Sequence, residues 1–100
     1  MAFSEMMKAL ADPVRREILL LLRRGETTAG ELARHFPITG AAVSYHLAQL
    51  KKADLVCEER EKNFIYYALN TTMLEELMLW LDQFRLPDKG AGAAGEGAEP

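Results

Sequence analysis

Two helix-start signals stand close together in this chain, and what lies between them leaves few folds open. Thr28-Ala29-Gly30-Glu31 has the spacing of a capping box, in which the threonine oxygen takes the backbone N–H three residues on. It opens a short helix with Leu32, Ala33 and Phe36 facing inward. Pro37 ends that helix, since proline has no N–H to give and clashes with the turn before it. Ile38-Thr39 leads into the next helix, with Thr39 as N-cap. That second helix is expected over 39–53, with Val43, Leu47 and Leu50 along one face. Two short helices joined by three or four residues read as a helix-turn-helix.

The flanks extend the pattern. Phe3, Met6, Met7 and Leu10 recur at helical spacing. Asp12-Pro13 then closes one helix and opens another, because Asp is a favoured N-cap and Pro at the first helical position loses no hydrogen bond. Val14, Ile18, Leu21 and Leu22 form the expected buried stripe of this helix, Arg15 and Arg16 point away from it, and Gly25 stops it. Further on, 55–60 and 64–69 are rich in β-branched, aromatic and aliphatic residues, with Glu61-Lys62-Asn63 between them. They predict a β-hairpin in which Asn63 takes the left-handed conformation. Asn70-Thr71-Thr72 caps a last helix, with Thr72 and Glu75 at capping-box spacing. The expected class is therefore mainly α with one hairpin, about five helices and two strands. One domain over 1–86 suits a chain of 100 residues. The Gly/Ala-rich stretch 87–100 has no large apolar residue and is expected to be a flexible tail.

The last helix carries Met73, Leu74, Leu77, Met78, Leu79, Trp80, Leu81 and Phe84, far more than a surface helix buries along one stripe. Either it is wedged into the core or it pairs with a second copy. Aromatic residues and Met are enriched at interfaces, which favours a homodimer. Its expected interface is Phe3, Met6, Met7 and Leu10 from the first helix with Leu74, Leu77, Met78, Trp80, Leu81 and Phe84 from the last.

On a helical wheel centred on Val43, Leu47 and Leu50 fall within about 40° of it, and Ala41, Tyr45, Ala48 and Lys52 fall opposite. A helix entering the major groove offers small and polar side chains of its first turns to base edges. Gly40 and Ala41 permit close approach, Ser44, Tyr45 and Gln49 can donate and accept, and Thr39 with the helix N-terminus suits a phosphate. Lys51 and Lys52 suit the backbone further along. His46, about 60° from the core centre, is either a half-buried structural residue or a phosphate contact. The plain alternative is a solvated surface helix with small residues. The net charge of −3 speaks mildly against nucleic acid. From Arg15 to Lys52, however, seven basic residues meet three acidic ones, and local sign matters most because salt screens exposed charges beyond roughly 8–10 Å.

Val43-Ser44-Tyr45-His46-Leu47, with Leu50, Leu55-Val56, Arg60 and Tyr66-Tyr67, resembles the arsenical-repressor (ArsR/SmtB) family of winged helix-turn-helix regulators. Ala9-Leu10-Ala11-Asp12-Pro13, with Arg15 and Ile18-Leu19, matches its N-terminal signature, and the run from Tyr66 to Thr72 is similar to its SdpR-like autorepressor subgroup, which has no metal site. The resemblance spans residues 3–86. It implies a homodimer on double-stranded DNA at a near-palindromic operator, with the helix from Thr39 in the major groove and the hairpin as a wing. It places Thr39, Ala41, Ser44, Tyr45 and His46 near DNA, and Arg60 and Lys62 on the wing. The family's wing turn often carries Gly where Lys62 stands here. Glu58, Glu59 and Glu61 make the wing acidic, leaving phosphate binding to Lys51, Lys52 and the arginines.

Other chemistries find little support. Glu31-Leu32-Ala33-Arg34-His35 lacks the Cys-x-Cys pair by which relatives bind metal, and 72–84 holds neither His nor Cys, so no metal or other cofactor is expected. Cys57 is alone, so no internal disulfide forms, and its place in a strand predicts a small buried or half-buried side chain. No Gly-rich phosphate loop or nucleophile–base pattern points to an enzyme. The longest apolar run, Ile18-Leu19-Leu20-Leu21-Leu22, is too short for a membrane span, and the N-terminus has no secretory pattern. The expected product is a cytoplasmic DNA-binding repressor, with a regulatory protein as a further partner. A winged-helix module that binds protein instead of DNA is the alternative.

Overall fold

The computed structural model describes residues 3–87. Its elements are α1 (Phe3–Leu10), α2 (Pro13–Leu22), β1 (Thr27–Thr28), α3 (Ala29–Ala33), α4 (Gly40–Lys52), β2 (Val56–Glu61), β3 (Phe64–Leu69) and α5 (Thr71–Asp82). Beyond Pro87, the tail expectation lies outside the described residues.

Four helices begin where a side-chain oxygen satisfies an orphan N–H of the first turn. Asp12 Oδ1 accepts from the Val14 N–H at 2.7 Å and the Arg15 N–H at 3.3 Å, with Pro13 at the first helical position. Thr28 Oγ1 accepts from Glu31 at 3.2 Å, and Thr39 Oγ1 from Ala42 at 3.0 Å. The Glu31 carboxylate turns to Arg34, so only the threonine half of that box forms. The Thr72–Glu75 box does not open α5. Asn70 does, its Oδ1 accepting from Met73 at 3.3 Å. The Asn70 N–H is bound to the Leu55 carbonyl at 3.0 Å, which anchors this residue beside the hairpin and starts the helix directly after it.

At the far end of α4, Asp54 has φ 64°, the N–H of Leu55 reaches the Leu50 carbonyl, and the N–H of Asp54 reaches that of Lys51, both at 2.9 Å. This is a Schellman closure, with Leu50 and Leu55 both fully buried beneath it. Glycine fills such a position without a Cβ penalty, and a carboxylate opposes the helix dipole there. Asp54→Gly is therefore expected to stabilise the fold by about 0.5–1 kcal/mol and raise Tm by about 3–6 °C in a circular-dichroism melt.

The core joins Met6 and Ala9 of α1, Ile18, Leu19 and Leu22 of α2, Leu32 of α3, Val43, Leu47 and Leu50 of α4, then Ala53, Leu55, Val56 and Leu77. Val14 and Leu21 are only partly buried, and α2 turns Leu19 inward beyond its expected stripe.

The sheet has three antiparallel strands in the order β1-β3-β2, not two. Thr27 pairs with Tyr67 and Thr28 with Tyr66; a two-residue strand is too short to leave a periodicity in the sequence. In the hairpin, Val56 pairs with Leu69 and Glu61 with Phe64, leaving Lys62 and Asn63 as the turn. Lys62, not Asn63, takes the positive φ, at 56°. The register puts Lys62 at the first central position of a two-residue turn, the place where glycine is otherwise favoured. Cys57 is exposed, contrary to expectation. It alternates with buried Val56 on an edge strand and faces away from the helices, its thiol 3.8 Å from the Ala68 carbonyl.

Candidate nucleic-acid interface

Core packing decides which side of α4 meets solvent. Val43, Leu47 and Leu50 are fully buried, which rotates Ala41, Ser44, Tyr45, Ala48 and Lys52 outward. Tyr45 is 57% exposed, so its ring and hydroxyl are open to a partner. His46 and Gln49 sit half-buried at the two margins of this face. Thr39 and Gly40 are exposed at its start. A Cβ at Gly40 would meet nothing within 4 Å, so the protein's own packing does not require glycine there.

The cations near this face are not equally free. Arg15 is half-buried, its Nε donating to His46 Nδ1 at 3.1 Å, so it does not simply point away from the core. Arg16 donates through Nη1 to the carbonyls of Leu10 at 2.8 Å and Ala11 at 3.2 Å, closing the end of α1. Lys51 pairs with Glu58 at 3.2 Å. Such an exposed pair contributes about 0–1 kcal/mol and exchanges readily for a phosphate. Among the described residues, no carboxylate pairs with Lys52, Arg60 or Lys62. Burial pulls the Asp12 carboxyl up, but its bonds from the Arg15 and Val14 N–H groups and the positive charge of Arg15 more than offset this and hold it below the usual carboxylate range. Burial, reinforced by the Glu58 carboxylate, raises the Tyr67 hydroxyl above its ordinary value although Lys51 works the other way.

Strand alternation sorts the wing. Val56, Glu58 and Arg60 share the face that carries Val56 into the core, with Ile65, Tyr67 and Leu69 beside them. Cys57, Glu59 and Glu61 share the other face with Phe64, Tyr66 and Ala68. The acidic run is thus divided between the two faces, and its inner member, Glu58, is matched by Lys51.

The expected interface residues fall into two groups. Met6 and Leu77 belong to the protomer's own core, and Phe3, Leu10 and Leu74 pack partly against it. Met7, Met78, Trp80, Leu81 and Phe84 are exposed. The Trp80 ring lies 5.3 Å from that of Phe3 and 5.2 Å from that of Phe84, so α1 and α5 form one continuous apolar surface. Among the described residues no three His, Cys, Asp or Glu side chains are grouped to hold a metal ion, and no helix is long and apolar enough to cross a membrane.

The position and bond of Arg15 could not be read from the chain. Its partner His46 lies 31 residues away; the one local signal is the Asp12-Pro13 start, which puts Arg15 in the first turn of α2.

A family model described as a helix-turn-helix domain matches residues 10–58. The chain is 47% identical over 77 residues to the transcriptional repressor SdpR of Bacillus subtilis, covering 77% of this chain and 86% of that protein. It is 36% identical to an arsenical resistance operon repressor of Staphylococcus xylosus, covering 87% and 84%. A solution structure from Mycobacterium bovis, titled as a homodimeric winged helix-turn-helix DNA-binding domain and a possible ArsR-family regulator, aligns with a TM-score of 0.68 at 27% identity, covering 88% of this chain and 84% of that one.

Proposed function

This chain belongs to the ArsR family of winged helix-turn-helix transcription regulators, and we propose that it is a homodimeric repressor that occludes a promoter, its own included, by binding a near-palindromic operator. The observation that carries this reading is α4: one face is locked into the core by Val43, Leu47 and Leu50, while the opposite face holds small and polar side chains open to solvent. In this reading Thr39, Gly40 and Ala41 meet phosphate and groove floor at the helix N-terminus. Ser44, Tyr45 and Gln49 read base edges, and Lys51 and Lys52 follow the backbone. Arg60 and Lys62 reach it from the wing. Acting on DNA, the protein works in the cytoplasm.

Two copies joined through α1 and α5 place two such helices about one DNA turn, ~34 Å, apart. The dimer rests on the exposed apolar surface of Met7, Met78, Trp80, Leu81 and Phe84 and on the homodimeric relative.

The test is fluorescence anisotropy with the DNA upstream of the chain's own coding region against scrambled DNA, at two salt concentrations. Tight binding to the upstream DNA alone, with a steep salt slope, is the expected result. Tyr45→Ala is expected to weaken specific binding by about 1–3 kcal/mol with the melting temperature almost unchanged. Absence of binding to either DNA at low salt would overturn the repressor reading.

A second reading draws on the outer wing face, where Glu59 and Glu61 lie together: a docking site for a basic regulatory protein. Reversing the charge of Lys51 and Lys52 separates the two readings, since it removes DNA binding and leaves docking at this face intact.

A further inference from the structure

We propose that Arg15 is a positioning residue for the DNA-reading helix, not a phosphate contact: it clamps His46 in one tautomer and braces Tyr45. This rests on the reading of α4 as the DNA-binding helix.

Asp12 caps α2 and Pro13 begins it, which places Arg15 in the first turn, facing α4. There its Nε donates to His46 Nδ1 at 3.1 Å. A guanidinium has donors only, so Nδ1 must be the acceptor and the ring proton of neutral His46 must be on Nε2. Among the described residues, Nε2 has no hydrogen-bond partner. The guanidinium carbon also lies 5.9 Å from the centre of the Tyr45 ring, within cation–π reach. The Tyr45 and His46 rings meet edge to face, 5.7 Å apart at 64°. One side chain of α2 thus touches two adjacent aromatic residues at the rim of the exposed face of α4. A clamp of this kind removes rotamer freedom from Tyr45 and His46 before DNA arrives and leaves His46 a hydrogen-bond donor, not an acceptor.

The clamp and a phosphate contact make different predictions. A lost phosphate contact lowers affinity for all DNA alike and reduces the slope of log K against log salt by about one. A lost clamp lowers binding to the operator, leaves binding to scrambled DNA little changed, and keeps the slope.

The experiment takes the full chain, Arg15→Met, His46→Ala and the double variant, titrated into labelled upstream and scrambled duplexes over a salt series. Each single variant is expected to lose about 10-fold in specific binding. The double variant is expected to lose about 10–30-fold, short of the roughly 100-fold of independent residues, because Arg15 works largely through His46. Additive losses, or a salt slope lower by one in Arg15→Met, would overturn the proposal. The ring nitrogens of His46 in the wild-type protein, read by two-bond ¹H–¹⁵N correlation, test the clamp even if a variant fails to fold. A protonated Nε2 with an unprotonated acceptor Nδ1 is expected; a proton on Nδ1 overturns the clamp. That spectrum needs no DNA, so a wild-type protein that binds neither duplex overturns the repressor reading separately.

Discussion

Leu81→Glu is expected to give a folded monomer whose specific DNA affinity has fallen by about 100-fold or more. Leu81 is 48% exposed on α5, beside Trp80 and Phe84. A carboxylate there is solvated in the isolated protomer and disturbs little of its core. In a two-fold dimer both copies carry the substitution, so two carboxylates would be buried in an apolar interface. The large loss follows from geometry. With one recognition helix per particle, the second half-site is no longer bound at the high effective concentration that a dimer supplies, a factor of roughly 10²–10⁴. Sedimentation velocity, a circular-dichroism spectrum and anisotropy decide it together. A variant that stays dimeric and binds at full strength would remove α5 from the interface.

Leu47→Ala is expected to destabilise the fold by about 3 kcal/mol, a large share of the roughly 5–15 kcal/mol that holds a domain of this size together. Leu47 is fully buried on the inner face of α4, in a cluster that joins α1, α2, α3 and α5. Removing its three outer carbons loses transfer free energy and leaves a cavity that neighbours on several elements cannot all move to fill. Tm should fall by about 12–20 °C. The contrast with Tyr45, two residues earlier on the same helix, is the informative part. Truncating Tyr45 should cost binding and spare stability, whereas truncating Leu47 should cost stability first. A Leu47→Ala protein that melts within a few degrees of wild type would contradict the packing of α4.

What could be read along the chain follows the range of the forces involved. Asp12, Thr28 and Thr39 cap their helices through oxygens bonded two or three residues on, and signals that local survive in a linear reading. The inner face of α4 was equally legible, because a 3.6-residue period needs no knowledge of what it packs against. The candidate DNA face followed as the opposite side of the same wheel. Three features that depart from local propensity share a cause. Thr72 and Glu75 have capping spacing, yet Asn70 starts α5 because its N–H is held by Leu55 across the fold. Asn63 is the better left-handed residue by propensity, yet the hairpin register gives that conformation to Lys62. A lone cysteine in a strand predicts a buried or half-buried side chain, yet Cys57 lies on an edge strand with its side chain turned outward.

Where α2, α3 and α4 begin, which face of α4 is apolar and that a hairpin follows it are written locally in the chain, since capping, periodicity and turn chemistry act over a few residues. Which charges are free depends on packing: Arg15 is held by His46, Arg16 by the end of α1 and Lys51 by Glu58, while Lys52 has no carboxylate partner among the described residues. The strand β1, and the division of the expected apolar residues of α1 and α5 into buried Met6 and Leu77 and exposed Met7, Met78, Trp80, Leu81 and Phe84, depend on the assembled fold in the same way. Distance along the chain explains this: Thr28 meets Tyr66 and Phe3 meets Trp80 only after the core has assembled. Hydrogen bonds and ion pairs of a few ångströms' reach cannot be assigned until packing has brought such partners together.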